Sequence, residues 1–158
     1  MPAFAKFPIL CLLASAACFC FTAQAYAGYA FGLYPEDNNP AEIVELEEKY
    51  DIKTQIIGYT FDTFGYEEES AMIRSVELLG KGRVYHVSIS PYGFSAKDVA
   101  EGKYDAEYRR FFRIVKSSGI KVLFRTMHEM NGSWYSWSGD PANFKKAWKR
   151  IYEMAREE

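Results

Sequence analysis

Cysteine occurs only at positions 11, 18 and 20 of the 158 residues, and nowhere beyond them. A disulfide framework and thiol chemistry are thereby excluded from the rest of the chain, whose stability has to come from an apolar core. Histidine is scarcer still, with only His86 and His128 present. No Gly-x-Gly-x-x-Gly follows a strand-like run and no phosphate-loop lysine occurs, which argues against the common nucleotide cradles. An excess of one charge is missing too. The formal net charge is −2, so nothing in the balance invites nucleic acid or an anionic membrane surface as a partner. What the chain has in quantity is aromatic side chains, at 17%. Part of these must form core, but sugars also stack their apolar C–H faces on such rings.

The first residues are set aside from the fold. Lys6 precedes an apolar run from Phe7 to Phe21, and Ala23-Gln24-Ala25 follows, which is the order of a secretory signal peptide. The run would reach only about 22 Å as a helix, against roughly 30 Å of hydrocarbon, so it is too short for a membrane span. Cleavage after Ala25 is expected, giving a secreted or periplasmic protein without a membrane span. Its removal takes away Lys6 alone and shifts the net charge to −3. Cys18 leaves lipidation as an alternative, although the usual leucine three residues before it is absent. Residues 26–158 are then expected to form one domain.

Beyond the leader, strand-like runs alternate with helical patterns four times without a low-complexity linker. Ala30 to Tyr34 is the first run. Asn39 and Pro40 predict a helix start, with Glu42 in the reciprocal capping position and Ile43, Leu46 and Tyr50 on one face. Thr54 to Phe61 is the second run. A helix from about Glu67 to Leu79 follows, with Met72, Ile73, Val76 and Leu79 inward and Gly80 and Gly82 as stops. Val84 to Ser90 is the third run. Asp105 then caps a helix that buries Tyr108, Phe111, Phe112 and Val115 and ends at Gly119. Lys121 to Met127 is the fourth. Asp140-Pro141 opens the last helix, with Phe144, Ala147, Trp148, Ile151 and Tyr152 on its inner stripe. Connections of this length join parallel strands through right-handed crossovers. The class is α/β, and a partial (β/α)8 barrel of four βα units gains over a doubly wound sheet, because the chemically rich segments follow strand ends.

The richest of these segments is Arg125-Thr126-Met127-His128-Glu129-Met130-Asn131-Gly132-Ser133-Trp134-Tyr135-Ser136-Trp137. A zinc protease would need His-Glu-x-x-His, and position 132 is glycine, so no metal or other cofactor is expected. Packing alone could use the tryptophans and the His128–Glu129 pair, but a cluster among Gly, Ser and Asn after a strand belongs to a loop. Glycoside hydrolysis suits it better. One carboxyl group protonates the leaving oxygen while a second attacks the anomeric carbon from about 5 to 5.5 Å away. A donor that stays neutral near pH 7 is expected to be buried among aromatics.

With His-Glu-Met-Asn-Gly-x-Trp-Tyr after Arg125, the chain resembles glycoside hydrolase family 26, which includes endo-β-1,4-mannanases, some β-1,3-1,4-glucanases and β-1,3-xylanases. Phe31-Gly32-Leu33-Tyr34 and Gly102-Lys103-Tyr104-Asp105 fit the early half of that family. The resemblance implies a (β/α)8 fold and makes Glu129 the acid/base. It places His128 along the subsite of the attacked sugar, Trp134 as its wall and Arg125 near the catalytic floor. Asn131 joins the substrate-binding set, and Trp137 and Tyr34 are read as further stacking surfaces.

The nucleophilic glutamate of that family comes from the seventh strand, and no residue here is assigned its role. Asp62 and Glu36 follow strands but read as solvated loop acids. A complete barrel takes about 250 residues, so residues 26–158 are about half of one, and truncation of a longer enzyme is expected. The leading substrate is β-mannan, from the Asn-Gly-Ser-Trp that follows His128-Glu129. Mixed-linkage β-glucan and a non-catalytic, β-glycan-binding half barrel are the alternatives.

Overall fold

The computed structural model describes residues 30–158; the leader expected at 1–25, its cleavage point and Cys18 lie outside the described residues. Four parallel strands, β1 (Gly32–Leu33), β2 (Ile56–Phe61), β3 (Val84–Ile89) and β4 (Lys121–Thr126), pair in sequence order. Between and after them run α1 (Pro40–Tyr50), α2 (Tyr66–Leu79), α3 (Ala96–Ala100), α4 (Asp105–Ser118) and α5 (Pro141–Glu157). Strand order decides the architecture. A doubly wound sheet reverses direction at a switch point and puts helices on both faces, whereas four strands in unbroken order, joined by crossovers of one hand, keep every helix on one face. The sheet is therefore the four-unit, partial (β/α)8 arrangement.

Two helix starts follow from their capping residues. Asn39 accepts from the Ala41 amide at 3.1 Å, and Pro40 in the first turn forgoes an N–H that has no partner inside the helix. Asp140 likewise accepts from the Asn143 amide at 3.1 Å, with Pro141 behind it. Two other expectations are corrected. Glu42 does not close a capping box, because the Asn39 amide already donates to the Glu36 carbonyl at 3.0 Å; the Glu42 carboxylate takes the Glu36 amide instead. Asp105 is the first residue of α4 rather than its cap. Its carboxylate receives two bonds from Arg150 of α5, at 2.7 and 2.6 Å, which locks those helices together.

Period-2 alternation sends Ile57, Tyr59 and Phe61 of β2 and Tyr85, Val87 and Ile89 of β3 to one face, where all are buried. Met72, Tyr108 and Phe111 from the helices complete that core, and Phe124 of β4 lies 4.9 Å from Phe111, ring to ring. Ile73 of α2 is exposed, correcting its inward assignment, because the buried stripe runs through Met72, Ser75, Val76 and Leu79. In α5 the same one-residue offset leaves Tyr152 exposed while Ala147, Ile151 and Met154 turn inward. At the foot of the sheet Arg83 pairs with Glu47 and also donates to the Thr54 carbonyl at 2.9 Å. That contact holds the Glu47 carboxyl down at about 2.

The opposite face carries no helix. In register across it lie Gly58, His86 and Leu123, then Thr60, Ser88 and Arg125. Leu123 is 53% exposed there. Among the described residues no helix is long and apolar enough to cross a membrane.

Candidate active site

The end of β4 turns sharply into the segment that carries the acid. Met127 and Glu129 both hold left-handed backbone angles, with φ of 45° and 53°, a conformation costing side-chain-bearing residues about 1 kcal/mol each. Several bonds hold the turn against that cost. Met127 is buried, Gly132 donates its amide to the Glu129 carbonyl at 2.9 Å, and the Trp137 indole N–H donates to the His128 carbonyl at 2.8 Å. The alternating φ sign throws Glu129 outward at the C-terminal end of the sheet, where catalytic residues of (β/α)8 enzymes sit.

The Glu129 carboxylate is exposed and accepts from the Trp134 indole N–H at 2.9 Å through Oε2. The expected burial of this acid among aromatics is corrected: it touches an indole edge, and Trp134 is itself 68% exposed. Gly132 makes the pairing possible, since a Cβ at that position would run into the Trp134 ring. Trp134 thus stands directly against Glu129, its indole N–H on the carboxylate. Trp137 does not serve as a stacking surface. It is 1% exposed, and its ring is stacked on Tyr135 at 4.2 Å, so its faces belong to the core.

His128 is half-buried. Its Nε2 lies 3.1 Å from the Tyr135 hydroxyl and 3.5 Å from Ser90 Oγ, while Nδ1 is buried without a hydrogen-bond partner among the described residues. Burial and then the Arg125 charge lower its pKa, with Glu129 opposing, so the ring is held neutral. Tyr135 and Ser90 were not singled out from the sequence. Tyr135 stood inside the motif without a role, and only its bond to His128 supplies one.

A second group lies on the open face of the sheet. Tyr34, after β1, folds over Gly58 and its hydroxyl meets His86 Nδ1. Any Cβ at position 58 would collide with the Tyr34 ring, which accounts for glycine in the middle of a strand. Burial first and Arg125 second depress the His86 pKa; the Tyr34 hydroxyl is pushed up by burial, with Arg125 opposing. Arg125, exposed on β4, is the charge common to both groups. His86 was legible only as the second histidine, although the alternation of β3 puts it on the same face as Arg125. Asn131 is exposed in the turn that Glu129 opens. Asp62 and Glu36 are exposed, Asp62 lining an open cleft of about 330 Å³ with Asp37, Asn38 and Arg74. Among the described residues no three His, Cys, Asp or Glu side chains gather closely enough to hold a metal ion.

Residues 106–158, which run from α4 through the acid-bearing turn to the end of α5, match glycosyl hydrolase family 26. Over 108 residues, 68% of its length, the chain is also 28% identical to Endoglucanase H of Acetivibrio thermocellus. That match covers 11% of the relative, so the chain spans about a tenth of its length. The four parallel βα units and the turn that presents Glu129 beside Trp134 thus accompany a similarity to glycosyl hydrolase family 26 that spans residues 106–158.

Proposed function

We propose that this chain supplies the acid/base half of a retaining endo-glycosidase acting on a β-1,4-linked polysaccharide, with β-mannan as the first substrate and Glu129 as proton donor. The observation that supports it most is the placement of Glu129: a carboxylate presented by a strained turn at the C-terminal end of β4, with one oxygen engaged by an indole N–H. With Oε2 occupied by Trp134, Oε1 is left to carry the proton to the leaving oxygen. The exposed acid is poised for change on binding. A sugar chain laid over it displaces water and brings the leaving oxygen to the free carboxylate oxygen. In this reading Arg125 belongs to the catalytic floor, His128 lines the subsite of the attacked sugar, Tyr34 is a further stacking surface and Asn131 joins the substrate-binding set, while the neutral His128 ring adds no competing charge. Export follows in this reading from the apolar leader.

The second carboxylate of a retaining reaction, expected from a seventh strand, has no counterpart in the four strands here. The chain by itself is therefore expected to bind glycan without turning it over, and release of reducing sugar from mannan by this chain alone would overturn that assignment. In an eight-stranded barrel containing the segment, Glu129→Gln is expected to abolish cleavage of mannan while largely sparing aryl glycosides with activated phenol leaving groups, because only poor leaving groups need the proton. Equal loss on both would remove Glu129 from the role.

The similarity to a protein named as an endoglucanase favours a second reading, in which the substrate is mixed-linkage β-1,3-1,4-glucan. Parallel assays of that same barrel on mannan and on mixed-linkage glucan separate the two by which polysaccharide yields oligosaccharides.

A further inference from the structure

Three exposed aromatic side chains stand just past strand ends on the rim that presents Glu129: Tyr34 after β1, Tyr92 after β3 and Trp134 after β4. Tyr34 and Trp134 have places in the reading above, and Tyr92 has none. Its ring is 62% exposed, yet the backbone beneath it is fixed. Pro91 is buried, the Tyr92 amide donates to the Ser90 carbonyl at 2.7 Å, and the Phe94 amide donates back to the Pro91 carbonyl at 3.0 Å. Gly93 completes the turn at φ 83°, an angle that glycine adopts without strain. Ser136 Oγ then donates to the Phe94 carbonyl at 2.6 Å, bolting this turn to the segment that carries Glu129.

The surroundings of the ring point the same way. Tyr92 lies 6.1 Å from Tyr135, tilted by 49°, and Tyr135 stacks at 4.2 Å on buried Trp137 while its hydroxyl meets His128. Three rings thus step outward from the core to solvent, and only the outermost is open. Neighbouring strands lie about 4.8 Å apart, so the turn after β3 stands directly beside the acid-bearing turn after β4.

Resting on the function proposed above, we infer that Tyr92 is a sugar-stacking residue, forming a binding subsite for a pyranose ring of the β-1,4-linked chain flanking the bond held at Glu129. A phenol ring presented by a rigid turn offers an apolar face at little entropic cost, and its hydroxyl can bond to a sugar hydroxyl at the edge.

The test is binding by the chain itself, read as retardation in gels containing soluble glucomannan and as calorimetric affinity for mannohexaose and cellohexaose. Tyr92→Ala is expected to weaken binding about tenfold, the scale of one aromatic stacking contact, with Tyr92→Trp restoring it. Tyr66→Ala, at an 82% exposed tyrosine that begins α2, is expected to change nothing, and unaltered thermal unfolding of all three variants excludes a folding defect. Binding by the unsubstituted chain that Tyr92→Ala leaves intact overturns the inference while the glycosidase reading stands. No retardation of the unsubstituted chain by glucomannan, and no heat with either hexasaccharide, overturns both.

Discussion

The two faces of one sheet are built to opposite rules. On the covered face every inward position of β2 and β3 is a large apolar or aromatic residue, and α2 and α4 meet it with Met72, Tyr108 and Phe111. On the open face the same strands place Gly58, His86 and Ser88 and β4 adds Arg125; of these four only Gly58 and Ser88 are buried. A strand buried on both faces reads as a continuous apolar run. These strands instead alternate, so the sequence itself commits one face to stability and leaves the other for polar work.

The largest expected effect tests the covered face. Phe111 packs edge-on or tilted against Phe64, Phe112 and Phe124, and Phe111→Ala is expected to cost about 3–5 kcal/mol in denaturant unfolding. A cost below about 1 kcal/mol would mean that the aromatic cluster is not what holds the helices down.

A smaller effect tests the open face. Gly58→Ala pushes the Tyr34 ring off the strand, and because that ring can swing toward solvent the stability cost is expected to be about 1 kcal/mol. The informative reading is local: the His86 ring resonances should lose the signature of the Tyr34 bond while those of His128 stay in place. With two histidines in the whole chain, the assignment is direct.

The smallest effect is a pH dependence. His86 and His128 both have folded pKa values depressed below the ordinary 6.5, chiefly by burial and then by Arg125. On acidification the unfolded chain takes up protons first, so stability should be full above about pH 7 and fall as pH drops below 6.5. The facing charges are Arg125 for both rings and Glu129 for His128. Glu47, held at about 2, loses its contribution in a separate window below pH 4.5. Unfolding midpoints that stay flat between pH 7 and 5.5 would contradict this assignment, and replacing both histidines with glutamine should flatten that limb in any case.

Legibility followed the range of the forces involved. Asn39-Pro40 and Asp140-Pro141 announced helices because capping acts within three residues, and the four strands were visible as runs rich in β-branched and aromatic residues set between helical patterns. Failures came where a partner was distant in sequence. Asp105 resembles a cap until Arg150 arrives from α5, and Glu42 resembles a capping-box acid until a 3-10 turn at Glu36–Asn38 takes up the Asn39 amide. α3 spans five residues, too short to display a period. At the site, Glu129 was legible from its motif and its strand, but its exposure was not, because left-handed angles at Met127 and Glu129 decide where the side chain emerges. Trp137 read as a platform for the converse reason: a loop tryptophan folds inward when its N–H finds a carbonyl, here that of His128.

The bond between Glu129 and Trp134 has a consequence for observation. An indole that is open to water and donates directly to a carboxylate emits according to that group's charge, whereas Trp137 is enclosed and Trp148 is half-covered. The chain therefore carries a fluorescent gauge on the acid itself, able to report when a saccharide covers it, without any added label.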